Sequence, residues 1–187
     1  MNKHAPLLNL HPTSAVLFLL TLALLSRWPG PCAAEELKVI VLGIAQDGGR
    51  PHIGCDKACC HTAWEQPGLR KYPTCLAIVD DASRQRWLIE CTPDLAWQLH
   101  DLHRVVAPTS THRLGLDGIV LTHAHIGHYA GLMLLGREAL GAEQIPVYAM
   151  PRMERFLREN GPWSQLVELK NIDLRPLAAD SATVLNS

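Results

Sequence analysis

The sequence has almost no charge imbalance: 17 Lys and Arg stand against 18 Asp and Glu, a formal net charge of −1. That leaves no electrostatic case for nucleic acid as a partner. There is no basic run either, since Arg104 and Arg113 are scattered charges of a solvated surface. Internal repeats and low-complexity linkers are absent, which excludes solenoid arrays and tethered domains. No apolar run reaches the roughly twenty residues of a membrane-spanning helix. The longest, residues 15–25, is broken by Thr21 and followed by Arg27, Pro29 and Pro31. Asp47-Gly48-Gly49 lacks the Gly-x-Gly-x-x-Gly spacing and no helix pattern directly follows, so a dinucleotide-binding turn is rejected. No histidine follows His128.

What is present fits one globular domain behind a leader: 187 residues, 48% hydrophobic and 19% charged. Lys3 and His4 in a polar start, the apolar run, and Cys32-Ala33-Ala34 at the cleavage positions predict a secretory signal peptide over residues 1–34. A retained anchor is the competing reading. Cleavage after Ala34 leaves a domain over residues 35–187, secreted or periplasmic, with no stable membrane span. In that oxidising setting the five remaining cysteines are candidates for disulfides or metal.

The densest chemistry lies in residues 118–136, where His123, His125 and His128 fall within six positions. Residues 118–121 are a short β-branched run and read as a buried strand, while residues 129–140 carry a helical pattern. Residues two apart at a strand end point to one side, so His123 and His125 can converge. Gly127 lets the chain turn His128 back toward them. Three imidazoles on a short constrained segment supply most of a first shell for zinc or a similar divalent metal. The competing reading is three inert surface or N-cap histidines. His100, His103 and His112, each alone on a helix or loop, read as surface residues.

Residues 74–79 and 86–91 are strand-like and joined by a polar turn, which predicts a hairpin. Centred on Ser83, it sets Cys75 opposite Cys91, as a disulfide or as two buried thiols. Cys55, Cys59 and Cys60 crowd into one turn-rich loop between His52 and His61, a structural metal site or a local disulfide.

Elsewhere, residues 37–44 read as a first strand. Thr92 and Pro93 read as N-cap and N1 of a helix whose Leu95, Leu99, Leu102 and Val106 share an apolar face. Glu90 and Asp94 stand at a strand end, within reach of a metal cleft, although an acid in a first helical turn is already explained by the helix dipole. After a polar loop at 108–116 and the histidine segment, Gly141 reads as a C′ residue. Strands at 145–149 and 172–177 flank a helix at 151–160. The hairpin followed by alternating strands and helices predicts an α/β sandwich.

Thr122-His123-Ala124-His125-Ile126-Gly127-His128 resembles the His-x-His-x-Asp-His motif of metallo-β-lactamase-fold hydrolases. The resemblance implies an αββα sandwich in which His123 and His125 help hold a first metal and His128 a second. Gly127 stands where the family has its aspartate and brings no ligand atom, so a single ion is expected rather than a pair. Residues 42–51 and the cysteine cluster are similar to the start of the pyrroloquinoline quinone biosynthesis protein B branch, and residues 146–151 and 160–166 also resemble secreted relatives of that branch. By position Cys55 and Cys60 match the outer members of a cluster associated there with structural zinc. Lys57 replaces the middle one, leaving Cys59, His52 or His61 to complete it.

The family's fold has two similar halves, with further ligands in the second. The resemblance therefore implies the N-terminal half and part of the second sheet, with an exposed sheet face that favours self-association or a missing C-terminal half. The function implied is metal-dependent hydrolysis of an ester, amide or phosphodiester in a small-molecule substrate, with zinc, or else iron, at the histidines. The alternatives are an oxidative enzyme of the quinone-cofactor type and a non-catalytic metal-binding fragment.

Overall fold

The computed structural model describes residues 37–108 and 113–185. The expected signal peptide at residues 1–34, and His112, lie outside the described residues. Six strands form one mixed sheet in sequence order: β1 (Leu37–Gly43), β2 (Cys75–Asp80), β3 (Gln85–Ile89), β4 (Gly118–Val120), β5 (Ile145–Ala149) and β6 (Ile172–Pro176). The first three pair antiparallel, and β3 to β6 run parallel. Parallel neighbours need crossovers. These are α2 (Leu95–Val105), a pair of 3-10 segments (Ile126–His128 and Ala130–Leu135), and the helices α3 (Pro151–Glu159) and α4 (Trp163–Glu168). The remaining helix, α1 (Ala58–Glu65), follows β1.

Burial follows the pairing. Every residue of β5 is buried, as expected for a strand covered on both faces. β1 alternates instead: Leu37, Val39 and Val41 are between 60% and 66% exposed, so one face of this edge strand carries exposed apolar side chains. Leu95 and Leu102 of α2 are fully packed into the core, with Leu99 and Val106 against it, in agreement with the expected apolar face.

Several local expectations are corrected. The hairpin is centred one half-step earlier than Ser83: Asp80 pairs with Gln85 and Leu76 with Ile89. The Asp80 carboxylate accepts from the Ala82 N–H (2.9 Å) and the Ser83 hydroxyl (2.7 Å), and Arg84 turns through φ 59°. That turn chemistry sets the register, and it places Cys75 against Glu90 rather than Cys91. The Cys75 thiol faces the Glu90 carbonyl, and Cys75 and Cys91 are separate buried thiols, with no bridge between them.

The helix expected at 129–140 is a 3-10 segment at Ala130–Leu135, preceded by a second 3-10 turn at Ile126–His128. Here backbone groups are engaged outside the helix: Cys91 N–H donates to the His128 carbonyl and Gly131 N–H to the Cys91 carbonyl. A Cβ on Gly131 would stand 2.0 Å from the Thr92 carbonyl oxygen, so glycine permits this docking. Tyr129 then joins Phe156 and Trp163 in an aromatic cluster with centroids 5.0 to 5.9 Å apart, each pair adding about 0.5–1.5 kcal/mol beyond its buried area.

The N-cap of α2 is Asp94, not Thr92. The Thr92 hydroxyl instead donates to buried Gln98 Oε1 (2.7 Å), and Gln98 Nε2 donates to the Pro73 carbonyl (2.8 Å). Three elements escaped the sequence reading: α1, which begins inside the cysteine loop, a 3-10 turn at Pro67–Leu69, and α4, which starts two residues after Gly161.

Candidate metal centre

β4 is short and fully inside the sheet, and its continuation stays extended because Leu121 N–H donates to the Tyr148 carbonyl (2.9 Å). His123 and His125 leave the sheet on that extended exit. The chain then closes into the first 3-10 turn, where His128 N–H donates to the His125 carbonyl (2.9 Å). The expected convergence is observed: ring centroids of His123 lie 4.6 Å from His125 and 4.2 Å from His128, with 6.4 Å between His125 and His128.

Two carboxylates face the imidazoles from opposite sides. Glu90, at the end of β3, is turned out of the strand with φ 79°, a conformation a non-glycine residue holds only when its surroundings demand it. Its Oε1 accepts from the Thr122 N–H (3.2 Å) and from the Thr122 hydroxyl, while Oε2 points at His128 Nδ1, 3.6 Å away. Burial pushes the Glu90 carboxyl above the ordinary glutamate range, against the opposing pull of Thr122 and His128. On the outer side, Asp47 Oδ1 lies 3.0 Å from His128 Nε2 and Oδ2 3.3 Å from His125 Nδ1. The hydrogen bond from His128 holds the Asp47 carboxyl below its usual range.

Glu90 Oε2 and His128 Nδ1 are both buried and without a hydrogen-bond partner. Such orphans cost free energy. Glu90, His123 and His128 offer ligand atoms within 4.8 Å of one another, and this nitrogen and oxygen donor set suits a divalent metal. The donors therefore fit the ion that the sequence motif implies.

Glu90 was among the acids expected to reach the cleft. Asp94 is half-buried, with its carboxylate beside Gly49, and is not among the Glu90, His123 and His128 ligand atoms that lie within 4.8 Å of one another. Asp47 was read only as a turn residue, and its single sequence signal is a lone acid beside two glycines. His100 is exposed, and His103 is half-buried with its pKa lowered by burial.

The cysteines form a second cluster. Cys55, Cys59 and Cys60 present their sulfurs within 4.8 Å of one another, all as free thiols, so the local disulfide reading is not realised. His52 contributes only its backbone N–H to Cys60 Sγ (3.4 Å), and His61 pairs with Glu65. The cluster is tied to the loop after β1, because Arg50 Nε donates to the Cys59 carbonyl (2.6 Å).

Residues 85–187 match the beta-lactamase superfamily domain family. The coenzyme PQQ synthesis protein B of Rhodopseudomonas palustris (strain TIE-1) is 31% identical over 151 residues, covering 77% of this chain and 45% of its own length. Its counterpart from Xanthomonas euvesicatoria pv. vesicatoria (strain 85-10) is 28% identical over 150 residues, covering 80% and 48%. The chain thus spans about half the length of the curated relatives it matches. Zinc-bound PqqB from Methylobacterium extorquens has the same fold, with a TM-score of 0.66 at 19% identity over 80% of this chain and 52% of that one. A diphosphatase from the PhnP family gives a TM-score of 0.55 at 25% identity over 80% and 54%. The family match takes in more than half of the chain, including every histidine of the cluster, and this chain belongs to the beta-lactamase superfamily, with a metallo-β-lactamase-like α/β fold.

Proposed function

We propose that the chain forms the metal-holding part of a metal-dependent hydrolase, with His123, His125 and His128 as ligands of a zinc ion. The observation that supports this most directly is the convergence of three imidazoles from one short segment, with ring centroids 4.2 to 6.4 Å apart. A bound zinc ion would supply an acidified water near neutral pH and a Lewis acid for the substrate's oxygen. The residues of this chain prepare that chemistry. Thr122 fixes the Glu90 carboxylate, and Glu90 is placed to accept the Nδ1 proton of His128 and so set its tautomer and ring orientation. The likeness to a diphosphatase supports a phosphate ester or anhydride among the ester, amide and phosphodiester classes. The cysteine cluster is proposed as a separate structural zinc site, and residues 1–34 as a signal for export.

A second reading rests on the curated relatives, which are named for coenzyme PQQ synthesis. In it the same donors hold iron and serve an oxidative step. Elemental analysis of protein purified without added metal, in the parent and in His123→Ala/His125→Ala, separates the readings when joined to assays on p-nitrophenyl esters and bis(p-nitrophenyl) phosphate. Zinc near one per chain that falls in the variant, together with hydrolysis that falls with it, is the expected result. Iron with oxygen-dependent turnover favours the second reading. Metal unchanged in the variant belongs to the cysteines, and the hydrolase proposal then fails.

A further inference from the structure

The residue at position 127 has no side chain, and the space such a side chain would need is already filled. A Cβ built on Gly127 would lie 2.3 Å from the carbonyl oxygen of Asp47 and 2.7 Å from its Cβ. No real Cβ tolerates such contacts with backbone, so Gly127 and Asp47 are sterically complementary. The Asp47 carboxylate then reaches the two histidines that flank this turn, with Oδ1 3.0 Å from His128 Nε2 and Oδ2 3.3 Å from His125 Nδ1.

Asp47 is also held in place. The loop after β1 is clamped on both sides by the segment before β2: Ala45 N–H donates to the Tyr72 carbonyl (3.0 Å), and Arg50 and Lys71 exchange two backbone hydrogen bonds of 2.8 Å. Between the clamps, Gly49 N–H closes a tight turn on the Gln46 carbonyl (2.7 Å), with Gly49 at φ 73°. Arg50 braces the loop against the cysteine cluster. An acid on a free loop would meet two histidines only transiently. This one is presented to them by a paired backbone.

We infer that Asp47 is the acidic ligand of the histidine site, supplied from the loop after the first strand in place of a side chain at position 127. The proposal rests on the reading that the histidines hold a metal. It changes the expected donor set: the absence of an acid within the histidine segment does not leave the site with imidazoles alone. Asp47 and Glu90 lie on opposite sides of His128, Asp47 with a 44% exposed side chain at the solvent side and Glu90, 4% exposed, at the closed side. Asp47 is therefore the carboxylate that shares its surroundings with an incoming ion, while Glu90 orients the ring from behind.

The test is metal affinity, measured by chelator competition with zinc and by cobalt absorption, in the parent, Asp47→Asn, Gly127→Ala, the double variant and His128→Ala. Asp47→Asn keeps the shape and removes the anionic donor. Gly127→Ala keeps every donor but drives its methyl group into Asp47. Each is expected to lower affinity by at least about tenfold, the scale on which supporting carboxylates act at metal sites, and to alter the cobalt d–d bands. The double variant should lose much less than the product of the two single losses, because both remove the same contact. Cobalt at the cysteines is distinguished by its sulfur charge-transfer band, and unfolding midpoints of the metal-free variants check that the fold is kept. If Asp47→Asn binds with parental affinity and spectrum while His128→Ala does not, the inference is overturned and the histidine site stands. If His128→Ala also binds as the parent does, the histidine site itself fails, and the role of Asp47 with it.

Discussion

Glu90 Oε2 and His128 Nδ1 face each other across 3.6 Å at the closed end of the histidine cluster, and neither atom has a hydrogen-bond partner. A carboxylate behind a ligating imidazole fixes its tautomer and raises its basicity. Glu90→Gln is therefore expected to weaken zinc binding about 10–100-fold, while Thr122→Ala, which frees the carboxylate from its anchor, gives a smaller loss in the same direction. Chelator competition reads both. Parental affinity in Glu90→Gln would show that this face of His128 is inert.

The five described cysteines should divide by burial. Cys75 is pushed up to about 12, first by burial and then by nearby Glu90, and complete burial drives Cys91 well above the normal thiol value. Since the thiolate is the reactive species, a disulfide reagent at pH 8 should modify exposed Cys59 first and leave Cys75 and Cys91 untouched until the protein unfolds. Peptide mass mapping with time identifies the sites. Cys75 reacting as fast as Cys59 contradicts the buried assignment.

Gly131→Ala is expected to destabilise the protein by about 1–3 kcal/mol, the usual cost of overpacking a filled site. Its methyl carbon would meet the Thr92 carbonyl oxygen at 2.0 Å and lift the 3-10 segment from the end of β3. His128, whose carbonyl accepts from Cys91 in the same junction, should move with it, so metal affinity falls as well. Urea unfolding and metal titration together check the pair of effects. A change in stability alone would mean that the turn carrying His128 moves independently of its docking.

At the hairpin turn, the Ser83 hydroxyl and then the Ala82 N–H hold the Asp80 carboxyl below its usual range. A depressed folded pKa means that this carboxylate contributes stability at pH values above the ordinary aspartate range, and that the contribution is lost as pH falls through the depressed value. Asp80→Asn should therefore be less stable than the parent at neutral pH and indistinguishable from it in strong acid. Urea midpoints from pH 2 to 7 read the convergence. A difference that persists unchanged at low pH would assign the effect to the shape of the turn rather than its charge.

The sequence is most legible where the determinant is local. His123 and His125 converge because they are two residues apart on an extended exit, and the β-branched run before them is enough to expect that exit. Leu95 and Leu102 are buried because a 3.6-residue period puts them on one face of α2. Both inferences use only chain geometry. The reading is poorer for residues 129–140. Their apolar spacing suits a helix, but whether it closes as α or 3-10 depends on Cys91, whose N–H and carbonyl engage the His128 carbonyl and the Gly131 N–H. Of the two readings of Cys75 and Cys91, the buried thiols are found, and the pairing differs from the expected one by one position of register. A one-residue slip moves every cross-strand pair, and here the Asp80 side chain decided it.

The donors on one short segment, the apolar faces and the succession of strands and helices were determined by the sequence itself, because period and turn chemistry act over a few residues. Which carboxylates stand opposite those donors was decided only in the tertiary structure. Asp47 and His128 are 81 positions apart, and they meet because β1 and β2 clamp one loop while β3 and β4 dock the other. No local pattern encodes that meeting, since it depends on where separately formed elements come to rest against a shared core.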